Sequence, residues 1–128
     1  YDIALRLRAD SIDSLNQVEI RQILKKHGFP KKTEVGTSAC EAAWIIIQHA
    51  PLDVQKEYLP MLERAATEGN IQAALVAALH DRIDVREGRP QKYGTKRNHN
   101  GICPLLNKKM VNQWRKEVGL PPLDEYSK

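Results

Sequence analysis

Three short polar features in this 128-residue sequence have residue types that chemistry needs. The first is Gln48-His49, which closes the most apolar stretch of the chain, Ala42 to Ile47. On a helix His49 shares a face with Ile45, four positions earlier, so its ring either ends the core with a hydrogen-bond partner or faces a cavity. An imidazole with its ordinary pKa of about 6.5 serves as general acid or base at neutral pH. The second feature is Asp81-Arg82, at the end of another apolar stretch. Helical neighbours point about 100° apart, so one can face inward while the other lies on the rim. An Arg on that rim clamps a carboxylate or phosphate bidentately, or else forms an ordinary salt bridge. The third is Gln91-Lys-Tyr-Gly-Thr95. In an extended segment Gln91, Tyr93 and Thr95 face one side, and three hydrogen-bonding groups in a row do not help to bury a core. Gly94 between them permits a special backbone angle or a close ligand. The structural alternative has Tyr93 packed and Thr95 capping.

Taken together, these residues suit a metal-independent enzyme. His49 is then the acid/base, Arg82 an anion clamp oriented by Asp81, and Tyr93 a second proton donor or positioning group. Gln48, Asp81, Gln91, Thr95 and Lys96 complete the set by holding substrate. The basic residues Arg86, Arg89, Lys92, Lys96, Arg97, Lys108 and Lys109 cluster in one region, 86–109, which reads either as a solvated loop or as a surface for a nucleic acid or another polyanion. The chemistry to expect is phosphodiester hydrolysis by a small RNase-like or toxin-like domain. Two other readings stand beside it. The same groups can form a binding module that recognises a ligand or a cognate protein without turnover. They can also form a buried polar network that locks two helices and a hairpin together.

Composition sets the frame for these residues. A hydrophobic fraction of 41% and a charged fraction of 28% are those of an ordinary globular chain, and the length fits a single domain over 1–128. The segment 1–14 reads as a partial N-terminal piece, and Tyr1 is not an initiator Met, so the compartment cannot be read. No apolar run approaches the roughly 20 residues that span a bilayer. Cys40 and Cys103 lie far apart and fit either one disulfide or two buried thiols. His27, His80 and His99 have no ligand spacing with one another or with the cysteines, so neither a structural zinc nor another cofactor is expected.

The elements that must position the polar features are mostly helical. The pattern predicts a small bundle of about five helices with one short β-hairpin or ordered loop near 83–95. Asn16 to His27 reads as the first helix, stopped by Gly28. Ser38-Ala-Cys-Glu41 has the form of a capping box and opens a helix that ends near Ala50. Asp53 caps a third helix, in which Pro60 predicts a kink or break, with a stop at Gly69. An Ala-rich fourth helix runs from Ile71 to about Arg82. Ile83 and Val85 then read as hairpin, and residues 96–103 as exposed loop. Asn107 caps a last helix to Val118, stopped by Gly119, and Leu120-Pro-Pro-Leu123 packs back on it.

The motifs Gln48-His49, Asp81-Arg82 and Gln91-x-Tyr-Gly-Thr95 occur here in a fixed order. They are joined by Gly28-x-Pro30, Val35-Gly36, Ala43-Trp44, Val111-Asn-x-x-Arg115 and Gly119-Leu-Pro-Pro-Leu123. In this combination, over roughly Leu15 to Tyr126, the chain resembles a bacterial family catalogued only as a domain of unknown function. The resemblance implies that the three polar features belong to one signature, and it supplies no reaction. Where that family's motif usually ends in Gln, this chain carries Lys96.

Overall fold

The structure is a computed structural model that describes residues 17–124. Asn16 and the segment 1–14 lie outside the described residues, as does Tyr126. Six helices and one two-stranded antiparallel hairpin make up the described chain, which divides into two compact units at Ile71 and Gln72. None of the described helices is long and apolar enough to cross a membrane.

The first unit holds α1 (Gln17–His27), α2 (Lys32–Val35), α3 (Thr37–Gln48) and α4 (Leu52–Thr67). On α3 the buried residues Ala39, Cys40, Ala43, Ile46 and Ile47 follow one helical stripe. Trp44 and Ile45 are only half-buried, so the consecutive apolar residues do not make this helix buried all round. The expected capping box is not formed. The helix starts at Thr37, after Gly36, and has no side-chain cap, which leaves Ser38 exposed inside its first turn. Along α4, Val54, Gln55, Tyr58, Leu62 and Ala65 repeat the same spacing and are buried. Asp53 lies one residue inside the helix, where its charge complements the positive end of the helix dipole.

Pro60 does not divide α4. It sits within one continuous helix and its side chain is exposed, so its ring faces solvent while Tyr58 and Leu62 on the buried stripe hold both flanks in place. The helix ends as the sequence suggests. Gly69 donates to the Ala66 carbonyl at 3.1 Å, and Asn70 to that of Ala65 at 2.8 Å, a Schellman-type stop.

The second unit begins with α5 (Ala73–Arg86) and ends with α6 (Val111–Glu117). The helix α5 starts two residues later than its sequence suggests and ends a turn later, because Val76, Leu79 and Ile83 continue one buried helical stripe past Arg82. That period outweighs the β-branched character of Ile83 and Val85. The stop is Gly88, whose backbone turns left-handed at a φ of 77° and lets Arg89 donate back to the Asp84 carbonyl at 2.8 Å. The hairpin is consequently displaced from 83–95. It is formed by β1 (Arg97–Asn98) and β2 (Gly101–Ile102), paired Arg97 with Ile102 and Asn98 with Gly101. Asn98 Oδ1 accepts from the Asn100 amide at 2.8 Å, an Asx turn that closes it. Asn107 does cap the turn that leads into α6, accepting from the amides of Lys109 at 2.9 Å and Met110 at 3.1 Å.

A proline in a helix interior forfeits one backbone hydrogen bond and crowds the carbonyl four residues back. Pro60→Ala is therefore expected to stabilise the protein by about 1–3 kcal/mol. Urea denaturation checks it, and an unchanged or lower midpoint would contradict this role for the proline.

Candidate functional site

The second unit is organised by a carboxylate that water does not reach. Asp81, on α5, is 0% exposed. Its Oδ1 accepts from the backbone amides of Lys92 at 3.1 Å and Tyr93 at 3.0 Å. Its Oδ2 accepts from the Thr95 amide at 3.0 Å and the Thr95 hydroxyl at 2.8 Å. A carboxylate offers about four lone-pair sites, so these donors exhaust it. Charge-assisted bonds of this kind offset the cost of taking the anion out of water. They also fix the irregular segment 91–96 against α5.

Gln91 performs the same service from within that segment. It too is 0% exposed, and its amide behaves like a peptide unit inserted between two chains. Nε2 donates to the carbonyls of Lys96 at 2.9 Å and Cys103 at 3.0 Å, and Oε1 accepts from the Lys96 amide at 2.9 Å. Its backbone bridges to the 104–106 segment, donating to Pro104 at 2.9 Å and accepting from Leu106 at 2.7 Å. Gly94 is buried with a φ of 69°, and a Cβ there would lie 2.8 Å from a Leu123 methyl and 3.2 Å from one of Leu105. Glycine is needed for both the angle and the space.

Arg115 completes the frame from α6. This buried guanidinium donates through Nη1 to the Tyr93 carbonyl at 2.8 Å and through Nε to the Pro121 carbonyl at 2.7 Å. Asn112, one turn earlier, accepts from the Leu123 amide at 2.7 Å, so the tail packs back on α6 as its sequence suggests. Sequence reasoning gave Arg115 no role of its own. The available signal was Asn112 and Arg115, three apart on one helix face just before a Pro-Pro tail.

Around α5 the residues fan out in order. Asp81 faces the loop, His80 and Asp84 lie to one side of it, and Arg82 and Arg86 to the other. On the first flank the Tyr93 ring meets His80 edge-on at 6.0 Å, and Lys92 Nζ stands 5.3 Å from the Tyr93 ring and 5.0 Å from that of Trp114. His80 Nδ1 is 3.2 Å from Asp84 Oδ2, close enough for charge pairing but not aligned for a hydrogen bond. His80, Asp81 and Asp84 are the described residues whose ligand atoms could converge on a metal ion. With Asp81 fully engaged and Asp84 Oδ1 bonded to Arg89 at 2.8 Å, that group offers a cation two side chains, fewer than a resident zinc takes.

On the second flank a cavity of about 400 Å³ is lined by Arg82, Val85, Arg86, Lys96, Arg97, Asn98 and Cys103. Four of these are cationic, and none is acidic. The Nε of Arg82 is buried without a hydrogen-bond partner. Burial pushes the Lys96 ammonium below its usual pKa of 10.5, the Arg82 charge pushes the same way, and Asp81 partly opposes them. A lysine depressed in this way costs stability wherever it is charged, and the cost lifts as the pH rises from its lowered pKa toward 10.5.

The sequence-predicted residues thus fall into two groups. Asp81, Arg82, Gln91, Tyr93, Thr95 and Lys96 meet in the second unit, with the polar atoms of Asp81 and Gln91 engaged inside it. Gln48 and His49 belong to the first unit. Gln48 is buried, with its Oε1 unpartnered and its carbonyl accepting from Gln55 Nε2 at 2.7 Å. His49 is exposed at the end of α3, where Nδ1 lies 3.0 Å from the Ile45 carbonyl. That contact caps a helix end, and it leaves Nε2 as the basic nitrogen in the tautomer that donates from Nδ1. Both cysteines are buried free thiols. Cys40 donates to the Pro30 carbonyl at 3.4 Å, and burial raises its pKa above 9.0.

These features define a mostly helical chain whose second unit holds a cationic pocket beside a buried polar network. The chain belongs to a family of unknown function (DUF6624), whose pattern matches residues 3–128. No curated protein and no solved structure matches it.

Removing Asp81 would strand four donors inside the unit. Asp81→Ala is expected to destabilise by about 3 kcal/mol or more, and Thr95→Val, which removes one donor, by about 1 kcal/mol. Asp81→Asn should fall between them, because its amide would turn a donor toward other donors. Equilibrium denaturation ranks the three, and a neutral Asp81→Ala would contradict the central place of this carboxylate in the frame.

Proposed function

We propose that this chain is a ligand-binding module whose second unit takes phosphate-bearing anions in the pocket of Arg82, Arg86, Lys96 and Arg97. In this reading Asp81, Gln91 and Thr95 form the structural network that shapes the pocket rather than groups that touch the ligand. The observation that carries it is the pocket itself: four cations around one cavity, no carboxylate in its lining, and a buried Arg82 Nε with no partner. Arg82 and Lys96 are half-buried beside each other with no carboxylate in the lining of the cavity, so an anion between them would offset their repulsion. Arg82 supplies a planar fork suited to phosphate, and Lys96 a point charge. The exposed Arg97, Lys108 and Lys109 extend the positive field beyond the cavity.

Binding is tested with a fluorescein-labelled single-stranded RNA, followed by anisotropy across a salt series. Wild type should bind, and log K should fall linearly with log salt. Arg82→Gln and Lys96→Gln should each weaken binding by about tenfold, roughly 1.4 kcal/mol, while leaving the thermal midpoint near or above that of wild type. Undiminished binding in both variants would reject the pocket as the site.

Phosphodiester cleavage is the second reading, and the lowered pKa of Lys96 favours it, since a depressed ammonium inside a cationic pocket is a better proton donor than an ordinary lysine. It keeps Tyr93, in the same unit, as a further catalytic candidate of the sequence. Incubation with RNA and with bis-p-nitrophenyl phosphate decides it. Product formation that is lost in Lys96→Gln supports cleavage, and binding without product leaves the chain a binding module.

A further inference from the structure

We infer that the turn at 106–110, with the side of α6 that continues from it, is a docking surface for an anionic lipid bilayer, which it meets at headgroup level without crossing. The inference uses none of the residues of the Arg82–Lys96 pocket and stands apart from the phosphate reading.

Exposure is the first reason. Leu106 is 57% exposed and Met110 38%, and among the described residues they are the exposed large apolar side chains. Both belong to one turn, in which every residue from 106 to 110 is exposed. Single apolar residues scattered over a surface need no account, but these two are joined by a third. The Trp114 amide donates to the Met110 carbonyl at 3.0 Å, so the two residues lie one turn apart on the same side of α6. Trp114 is half-buried. An indole partly covered and partly wet suits the boundary between hydrocarbon and headgroups.

Charge is the second reason. Lys108 and Lys109 stand between Leu106 and Met110, and Lys92 Nζ lies 5.0 Å from the Trp114 ring. Between Glu87 and Glu117 the chain carries eight Lys or Arg residues and no Asp or Glu. Arg89 and Arg115 are engaged within the unit, whereas no carboxylate among the described residues pairs with Lys108 or Lys109. The nearest acidic residue along α6, Glu117, lies a turn beyond Trp114 and accepts from Gln113 at 3.4 Å.

The third reason is that the turn is held from within. Asn107 Oδ1 accepts from the amides of Lys109 and Met110, and its carbonyl accepts from the Val111 amide at 3.1 Å. The Leu106 amide donates to the Gln91 carbonyl at 2.7 Å, and Val111 is fully buried behind the turn. The backbone is thus fixed by the frame while the side chains project, which limits the ordering cost of docking.

These features select a bilayer over other partners. A stable protein interface takes about 20–30 residues a side, and a second copy would set Lys108-Lys109 against the same pair. A nucleic-acid strand would use the lysines, but its bases stack on rings and would leave Leu106 and Met110 in water. An anionic bilayer uses both: the ammonium groups sit among the headgroups and the aliphatic chains below them. Neither signal alone anchors a protein, and together they give reversible attachment.

The test is cosedimentation of the full chain with vesicles of phosphatidylcholine, alone or with about 30% phosphatidylglycerol. Binding to the mixed vesicles should be at least about tenfold tighter than to the neutral ones, and should weaken as salt is added. Tryptophan emission should shift to the blue on the mixed vesicles, and the shift should vanish in Trp114→Phe, which keeps Trp44. Replacing Lys108 and Lys109 together by Gln should weaken attachment about twentyfold. Leu106→Ser should weaken it about fivefold and leave the thermal midpoint unchanged, since the side chain is exposed.

Arg82→Gln and Lys96→Gln should bind vesicles like wild type. A loss confined to those two variants would show the pocket seizing lipid phosphate and would overturn this inference. Vesicle binding with no blue shift and no effect of Leu106→Ser would also overturn it, as attraction by charge alone. So would RNA binding that depends on Lys108 and Lys109 without any attachment to vesicles, which would make the turn a nucleic-acid surface.

Discussion

A carboxylate buried without a cation in direct contact must be satisfied by dipoles, and most of the second unit's irregular structure serves that demand. Asp81 draws its donors from an irregular segment and not from a helix or sheet. Three backbone amides of that segment turn toward one anion, so the segment cannot also pair as an ordinary strand. For this reason only an isolated bridge, between Gln91 and Leu105, forms there. What the ladder does not supply, side chains do. Gln91 replaces a neighbouring peptide, Arg115 collects the carbonyls of Tyr93 and Pro121, and Gly94 supplies the conformation that no other residue adopts cheaply.

The anchor also sorts the surface around it. Lys92 and Tyr93 bond to one carboxylate oxygen and lie beside His80 and Trp114, while Thr95 bonds to the other oxygen and hands the chain to Lys96 beside Arg82. One side is thus a stack of rings and a cation, and the other a cluster of cations. Both are defined by residues whose backbones are held while their side chains remain available. In a fully satisfied network, the groups that can still meet a ligand are the ones at its margin.

Much of the frame was legible in the sequence, and the reasons for success and failure are specific. Helix ends marked by Gly28, Gly69 and Gly119 could be read, because a glycine that closes an apolar helical period is the residue best able to turn left-handed there. The three polar motifs were recognisable as unusual, since polar residues on a strand face or at a helix end need partners. Their arrangement was not readable. Nothing local distinguishes an Asp81 that orients an Arg from one that binds backbone amides eleven to fourteen residues away. Ile83 and Val85 misled through their β propensity, which the Val76–Leu79–Ile83 helical period overrides. Ser38 misled because a capping pattern states what could cap, and Gly36, two residues earlier, already stands at the start of the helix. The pocket itself was invisible, because Arg86 and Arg97 looked like part of a solvated basic run and Cys103 like a distant core thiol.

Lys96 belongs to both the frame and the pocket, and this dual membership ties stability to ligand. Its backbone is part of the Gln91 network, while its ammonium sits half-buried beside the Arg82 charge and is held below its usual pKa. In the free protein that ammonium works against the fold, and the frame bears the strain because Asp81 and Gln91 leave the segment nowhere else to go. An anion bound there, as proposed, would reverse the sign: it would favour the charged lysine and screen it from Arg82. Binding to the folded state alone then adds to stability by mass action, through the segment most tightly bound to α5. A buried network of uncharged partners could have held this loop without any gathered cations. The Arg82 and Lys96 charges line a cavity that holds no carboxylate, and that is the part of the arrangement in which function is to be sought.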